Sequence, residues 1–161
     1  MFRFSVLCTT LLMFVTGAAG AQTRIDLGNM VVDPDAAIEV TSQTLSVDQD
    51  TGIAVFEGEV LIIQGELRMS AARVEVVYGS DTNEIARLVA TGDVLLANAQ
   101  DAAEADTADY DITTGLLTLT GDVLVSQGET VISAESMVVN VTDGTATIQG
   151  RVRTVLQQGG N

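Results

Sequence analysis

The sequence predicts an all-β protein, a slightly twisted, open-ended solenoid of stacked antiparallel strands with a jellyroll-like cross-section. Three observations predict it. A short phrase recurs as Glu57-Gly58-Glu59-Val60, Thr91-Gly92-Asp93-Val94, Thr120-Gly121-Asp122-Val123 and Gly150-Arg151-Val152, its glycines 34, 29 and 29 residues apart. A fixed period in this range marks a repeat architecture. Thirteen residues after each of the first three glycines stands an alanine (Ala71, Ala105, Ala134), followed three and five places on by Val74/Val76, Ala108/Tyr110 and Met137/Val139. The apolar residues also alternate with a period of 2, the mark of a half-buried strand.

In chain order, residues 22–38 read as an irregular, mobile lead-in with a turn at Asp33-Pro34-Asp35. A first copy of the alanine pattern begins at Ser42, with Leu45 and Val47 in the apolar places, and Thr51-Gly52 turns the chain. Ala54, Phe56, Gly58, Val60 and Ile62 then share one face. Leu67, Met69 and Ala71 keep one parity, whereas Val74, Val76 and Tyr78 take the other. A one-residue shift swaps the faces of a strand, so a bulge or corner is expected just after the alanine.

The turn from Gly79 to Glu84 is five residues longer than its counterparts, which accounts for the spacing of 34. Leu88, Ala90, Val94 and Leu96 follow, then Ala108, Tyr110 and Ile112, the turn Thr114-Gly115, and Leu117, Leu119, Val123 and Val125. Ile132 and Ala134 give way to Met137, Val139 and Val141. After the turn Asp143-Gly144 come Ala146, Ile148, Gly150 and Val152. By parity the repeat glycines fall inward, where Gly121→Val is expected to overpack the interior. Four to five layers, one per unit, make a body on the order of 20 Å tall. A closed barrel is the alternative architecture. Residues 39–156 form the domain, and the tail 157–161 is expected to be disordered.

Residues 1–21 read as a secretory signal peptide, with Arg3, a short apolar core over residues 4–15, and Ala19-Gly20-Ala21 before Gln22. After cleavage the chain has no cysteine, histidine, tryptophan or lysine, and six arginines face 22 carboxylates, a net charge of −16. That balance speaks against nucleic acid, whose binding rests on cationic neutralisation of phosphates. It speaks equally against adhesion to an anionic membrane surface. Without histidine or cysteine there is no Ser-His-Asp or Cys-His catalyst and no thiolate or imidazole zinc site. No catalytic residue, metal ligand or cofactor is assigned.

Asp101, Glu104, Asp106, Asp109 and Asp111 form the densest acidic stretch and read as a solvated outer face. Asp48-Gln49-Asp50-Thr51-Gly52 reads as a hairpin turn, not a calcium loop, because its glycine is one place early. Asn140-Val141-Thr142 matches a glycosylation sequon, a pattern that arises easily by chance. The inward stripe, Phe56, Ile62, Met69, Leu88, Leu96, Leu117, Leu119, Val125, Ile132 and Ile148, is either an ordinary dry core or a track that holds lipid.

The ordered series Leu45-Ser46-Val47-Asp48-Gln49-Asp50-Thr51-Gly52, Phe56-Glu57-Gly58-Glu59-Val60, Gln64-Gly65, Ala105 to Asp111, Leu117 to Val123 and Gln127-Gly128 resembles the LptA/OstA-like periplasmic lipopolysaccharide-transport proteins. The resemblance runs from about Ser42 to Val152. It implies a V-shaped β-jellyroll that holds the acyl chains of lipid A between its sheets. It also implies edge-to-edge self-association and partners of like fold, an inner-membrane LptC-like and an outer-membrane LptD-like protein, in a bridge between the membranes. The leader favours the LptA-like member over an LptC-like adaptor. One departure is electrostatic: Arg68, Arg73, Arg87, Arg151 and Arg153 are the only cations in the repeats with which to clamp a phosphate.

Overall fold

The computed structural model describes residues 24–26, 36–79 and 84–156; the leader and the tail 157–161 lie outside the described residues. Eleven strands make one antiparallel sheet: β1 (Arg24–Asp26), β2 (Ile38–Thr41), β3 (Thr44–Asp48), β4 (Ile53–Gln64), β5 (Leu67–Tyr78), β6 (Ile85–Ala97), β7 (Asp101–Asp111), β8 (Leu116–Gln127), β9 (Thr130–Asn140), β10 (Thr145–Gln149) and β11 (Arg153–Leu156). The main path runs β1-β10-β9-β8-β7-β6-β5-β4-β2, with β3 also on β4 and β11 also on β9. The described ends do not pair with each other, so the sheet stays open and the barrel alternative falls. Nine strands at ~4.8 Å spacing span roughly 38 Å. That is about twice the expected height, because each unit contributes two strands to the sheet and not one layer. The one described piece of the lead-in before residue 36 is β1, a strand paired with β10 (Ile25 opposite Ala146) and not irregular chain.

β2 and β3 together pair along the length of β4, and β10 and β11 along the length of β9. The sheet is thus built from eight long strands, each bent once. The bends align in a single column. The register shifts between Glu57 and Val60 on β4, Thr91 and Val94 on β6, and Thr120 and Val123 on β8. At each shift two residues oppose one on the neighbour, as in a β-bulge. Both bulged residues are left-handed: Gly58 and Glu59 (φ 81° and 47°), Gly92 and Asp93 (82°, 49°), Gly121 and Asp122 (84°, 41°), and Gly150 and Arg151 (76°, 34°) in the last unit. This explains the glycine of the repeated phrase, since only glycine enters that region without a Cβ penalty. On the other strands the corner follows the alanine as expected, with Met69 and Ala71 buried before it and Val74 and Val76 after it.

The glycines are not inward. Gly92 and Gly150 are exposed and Gly58 and Gly121 only half-buried. A Cβ on Gly92 would stand 2.8 Å from the Ala72 Cβ, and one on Gly121 2.7 Å from the Asp106 Cβ. The steric demand therefore comes from the adjoining strand at the outside of the corner, and not from the core.

The corner column divides the sheet into two arms. Each arm presents alternate residues to the other, and one apolar cluster from Ala54 to Ala146 fills the space between. The arms end in turns. Three of the turns on one arm follow the same scheme: Asp48, Asp111 and Asn140 accept backbone N–H bonds from Thr51 (3.2 Å), Thr114 (3.0 Å) and Thr142 (3.0 Å). Four residues on in each, Gly52, Gly115 and Gly144 supply a positive φ. The acidic loop at Asp48 is thus a hairpin turn, and the sequon asparagine is a turn acceptor.

Candidate functional site

The inner faces of the two arms carry the apolar core cluster of the described residues. Eight of the ten stripe residues, Ile62, Met69, Leu88, Leu96, Leu117, Leu119, Val125 and Ile132, are buried in the common cluster; Phe56 and Ile148, near opposite ends of the stack, lie half-buried against it. Cross-strand pairing joins them laterally: Ile62 with Met69, Met69 with Leu96, Leu117 with Val139, and Val125 with Ile132. The stripe therefore runs across the strands from one end of the sheet to the other.

Between the arms, on the side away from the corner, is a small cavity of about 20 Å³. Ile62, Gln64, Leu67, Met69 and Leu96 line it from one arm, and Leu88, Tyr110, Leu117 and Val141 from the other. A space of that size holds about one water molecule. Ile62, Met69, Leu88, Leu96 and Leu117 around it are buried, so an acyl chain reaches them only if the arms part. Burial pushes the Tyr110 phenol above its ordinary range. Gln64 is buried as well, with its amide N–H directed at the Ala36 carbonyl at 3.4 Å. Neither Gln64 nor Val141 is on the expected stripe. Parity finds both, Gln64 with Ile62 and Val141 with Met137 and Val139.

The polar groups are distributed unevenly. The arms end in seven turns: 48–53, 64–67, 78–85, 97–101, 111–116, 127–130 and 140–145. Each carries at least one carboxylate in its sequence, and none carries an arginine. Arg73, Arg151 and Arg153 sit back at the corner, whereas Arg68 and Arg87 stand on the strands beside the turns, opposite Ala97 and Asp111. Arg73 pairs with Glu75 at 2.6 Å and with Glu57 at 3.8 Å, Arg87 with Asp109, and Arg151 with Glu135 at 2.7 Å. The hydrogen bond that Arg87 donates to Asp109, and then the Asp109 charge, raise the Arg87 pKa further. Arg68 and Arg153 are exposed and stand on β5 and β11, five strand steps or roughly 24 Å apart. The five cations do not converge.

The acidic stretch does not behave as one solvated face. Glu104 and Asp106 are exposed and Asp109 and Asp111 half-exposed, but Asp101 is only 4% exposed. It opens β7 on the inner parity of Ala103 and Ala105, both buried, and its Oδ2 has no hydrogen-bond partner. An unmet buried acceptor costs about 1–3 kcal/mol. That shared parity was the signal in the sequence; the run of acids around it hid it. No group of three or more acidic side chains among the described residues is placed to hold a metal ion. No helix among them is long and apolar enough to cross a membrane.

The family described as LptA/(LptD N-terminal domain) LPS transport protein matches residues 39–158, most of the chain. The chain belongs to that family. No curated protein matches its sequence. Among solved structures it is similar to the crystal structure of LptH, the LptA homologous periplasmic component of the conserved lipopolysaccharide transport device from Pseudomonas aeruginosa. The TM-score is 0.70, with 17% identity over 79% of this chain and 99% of that one. At that identity the likeness is one of fold: the open, bent antiparallel jellyroll is common to both.

Proposed function

We propose that this chain is a periplasmic lipopolysaccharide-binding carrier and bridge, exported by its leader (residues 1–21), that passes lipopolysaccharide from inner to outer membrane during outer-membrane assembly. The observation that carries the reading is the apolar stripe enclosed between two arms that are joined at one side only. An acyl chain laid along it would gain about 0.8 kcal/mol for each CH₂ removed from water, about 8 kcal/mol for ten. Parting the arms around Met69, Leu88, Leu96 and Leu117 uncovers four large side chains at about 1.5–3 kcal/mol each. The two amounts are of the same order. The empty protein therefore stays shut, and lipid opens it by replacing the contacts that the arms make with each other. Membership of the family and the likeness to a periplasmic transport component support the same reading. In this reading partners of like fold, LptC-like and LptD-like, join at the two open ends. Copies of the chain joining edge to edge would use those same ends.

One observation favours a second reading, that of an LptC-like structural adaptor with a dry core: the cavity has room for about one water molecule. Phe56→Ala and Leu88→Ala separate the two readings when lipopolysaccharide is titrated against a fluorescent apolar probe bound to the mature chain. For a carrier, lipopolysaccharide displaces the probe from wild type, and both truncations weaken it. Wild-type protein that takes up neither probe nor lipopolysaccharide, with Leu88→Ala losing about 2–5 kcal/mol of stability, would leave the adaptor reading in place.

A further inference from the structure

The charge distribution at the open side of the arms bears on the chemistry of the cargo's headgroup. Acyl chains held between the arms bring the headgroup out at the turns, the only side where the sheet is not closed by the corner. There every turn carries a carboxylate and none an arginine; of the two arginines beside the turns, Arg87 is engaged by Asp109 and Arg68 is exposed. Three of the five arginines of the repeats are engaged by Glu57, Glu75, Asp109 and Glu135, and the other two are far apart on separate strands. A phosphate at this rim meets a carboxylate in every turn and one cation outside any ion pair among the described residues, Arg68, on the outer face opposite Ala97. Hydroxyl groups find acceptors instead. One of these is already desolvated: the Oδ2 of Asp101, buried at the tip of β7 on the inner face and without a hydrogen-bond partner. A hydroxyl donor placed there satisfies it; a phosphate oxygen, itself an acceptor, does not.

We infer that the rim selects a multi-acyl glycolipid whose headgroup offers it sugar hydroxyls and no bare phosphate, with Asp101 accepting a hydrogen bond from one of those hydroxyls. The inference rests on the carrier reading above and names the cargo class for the same site. A phosphorylated headgroup binds well only when divalent cations neutralise its phosphates.

The test uses a matched pair of acylated glucosamine disaccharides, with and without their two phosphates, each displacing the apolar probe from the mature chain. In chelator at low ionic strength the phosphate-free lipid is expected to bind about tenfold or more tightly, one to two unit-charge repulsions at the rim. The gap is expected to close with millimolar Mg²⁺ or with salt, since screening weakens repulsion between exposed charges. Asp101→Ala is expected to lose about tenfold in affinity for the phosphate-free lipid, the worth of one hydrogen bond. Its affinity for the probe and its denaturation midpoint should be at least those of wild type, because the variant removes an unmet acceptor.

Equal or tighter binding of the phosphorylated lipid in chelator overturns the inference and leaves the carrier reading intact. Unchanged affinity of Asp101→Ala for the phosphate-free lipid removes the role given to Asp101. Binding of neither lipid, with no uptake of the probe, overturns the carrier reading and this inference with it.

Discussion

Val60, Val94, Val123 and Val152 hold the same place in four successive units, two residues past the corner glycine; the first three are 1% exposed and the last 48%. The other end of the sheet repeats the contrast. Val74 and Val76 are buried at their two apolar places, whereas Leu45 and Val47, in the matching places, are 55% and 62% exposed. The repeat sets which way a side chain points. Burial also needs a strand on either side, and the end layers lack one. The two ends themselves differ. β10 is covered by β1, and its Ala146 is buried, whereas β3 pairs, among the described residues, only with β4 and is exposed throughout. An uncovered strand edge with apolar side chains is a surface ready for a further strand, which agrees with assembly through the ends.

The largest expected effect tests the contrast between middle and ends directly. Leu119→Ala in the middle should lose about 2–5 kcal/mol through the cavity it leaves. Leu45→Ala at the β3 edge should stay within about 0.5 kcal/mol of wild type. Urea denaturation of both variants measures the difference. Similar losses would mean that β3 is covered in solution, by another copy or by the chain's own N-terminal residues.

A smaller difference is expected at the corner. Gly92→Ala forces a left-handed alanine against the Ala72 Cβ, which cannot rotate away, at a cost of about 2–4 kcal/mol. Gly58→Ala in the end layer meets the side chain of Gln43, whose terminal atoms lie 2.5–2.9 Å from the new Cβ and can swing aside, and whose own Cβ stands at 3.0 Å, farther than the Ala72 Cβ is at Gly92. The backbone strain of about 1–2 kcal/mol should dominate there, a smaller loss than at Gly92. If the two denaturation midpoints coincide, the neighbouring strand is not what requires glycine in the phrase.

The smallest effect concerns the end hairpins. Backbone N–H groups of Thr51 and then Asp50 hold the Asp48 carboxyl below the usual carboxylate range, and the Thr145 hydroxyl and N–H do the same for Asp143. A folded-state pKa below the unfolded one stabilises above the unfolded value, and the contribution is lost as pH falls through the folded value. Asp48→Ala and Asp143→Ala should therefore be less stable than wild type at neutral pH and converge with it at acid pH. A gap that persists unchanged in acid would assign the effect to turn shape and not to ionisation.

Reading the chain as sequence was enough for the all-β class, the unit length, the inner face of every long strand and the existence of a corner, because each follows from local periodicity. Leu67 to Ala71 and Val74 to Val76 reveal their parity switch in any context. The inward stripe was legible for the same reason.

What periodicity could not give is how strands meet. Gly121 has inward parity, yet the left-handed pair Gly121-Asp122 turns it outward against Asp106 on the next strand. Asp101 is a different case: it shares the parity of Ala103 and Ala105, which carry its strand inside, and the run of acids around it hid that signal. Leu45 and Val47 carry the pattern of core residues, and only their place at the end of the sheet exposes them. Away from the left-handed corner pairs, direction is a property of the backbone beneath one residue, so the sequence alone determined it. Cover is supplied by other strands, and only the tertiary structure decided which residues have it.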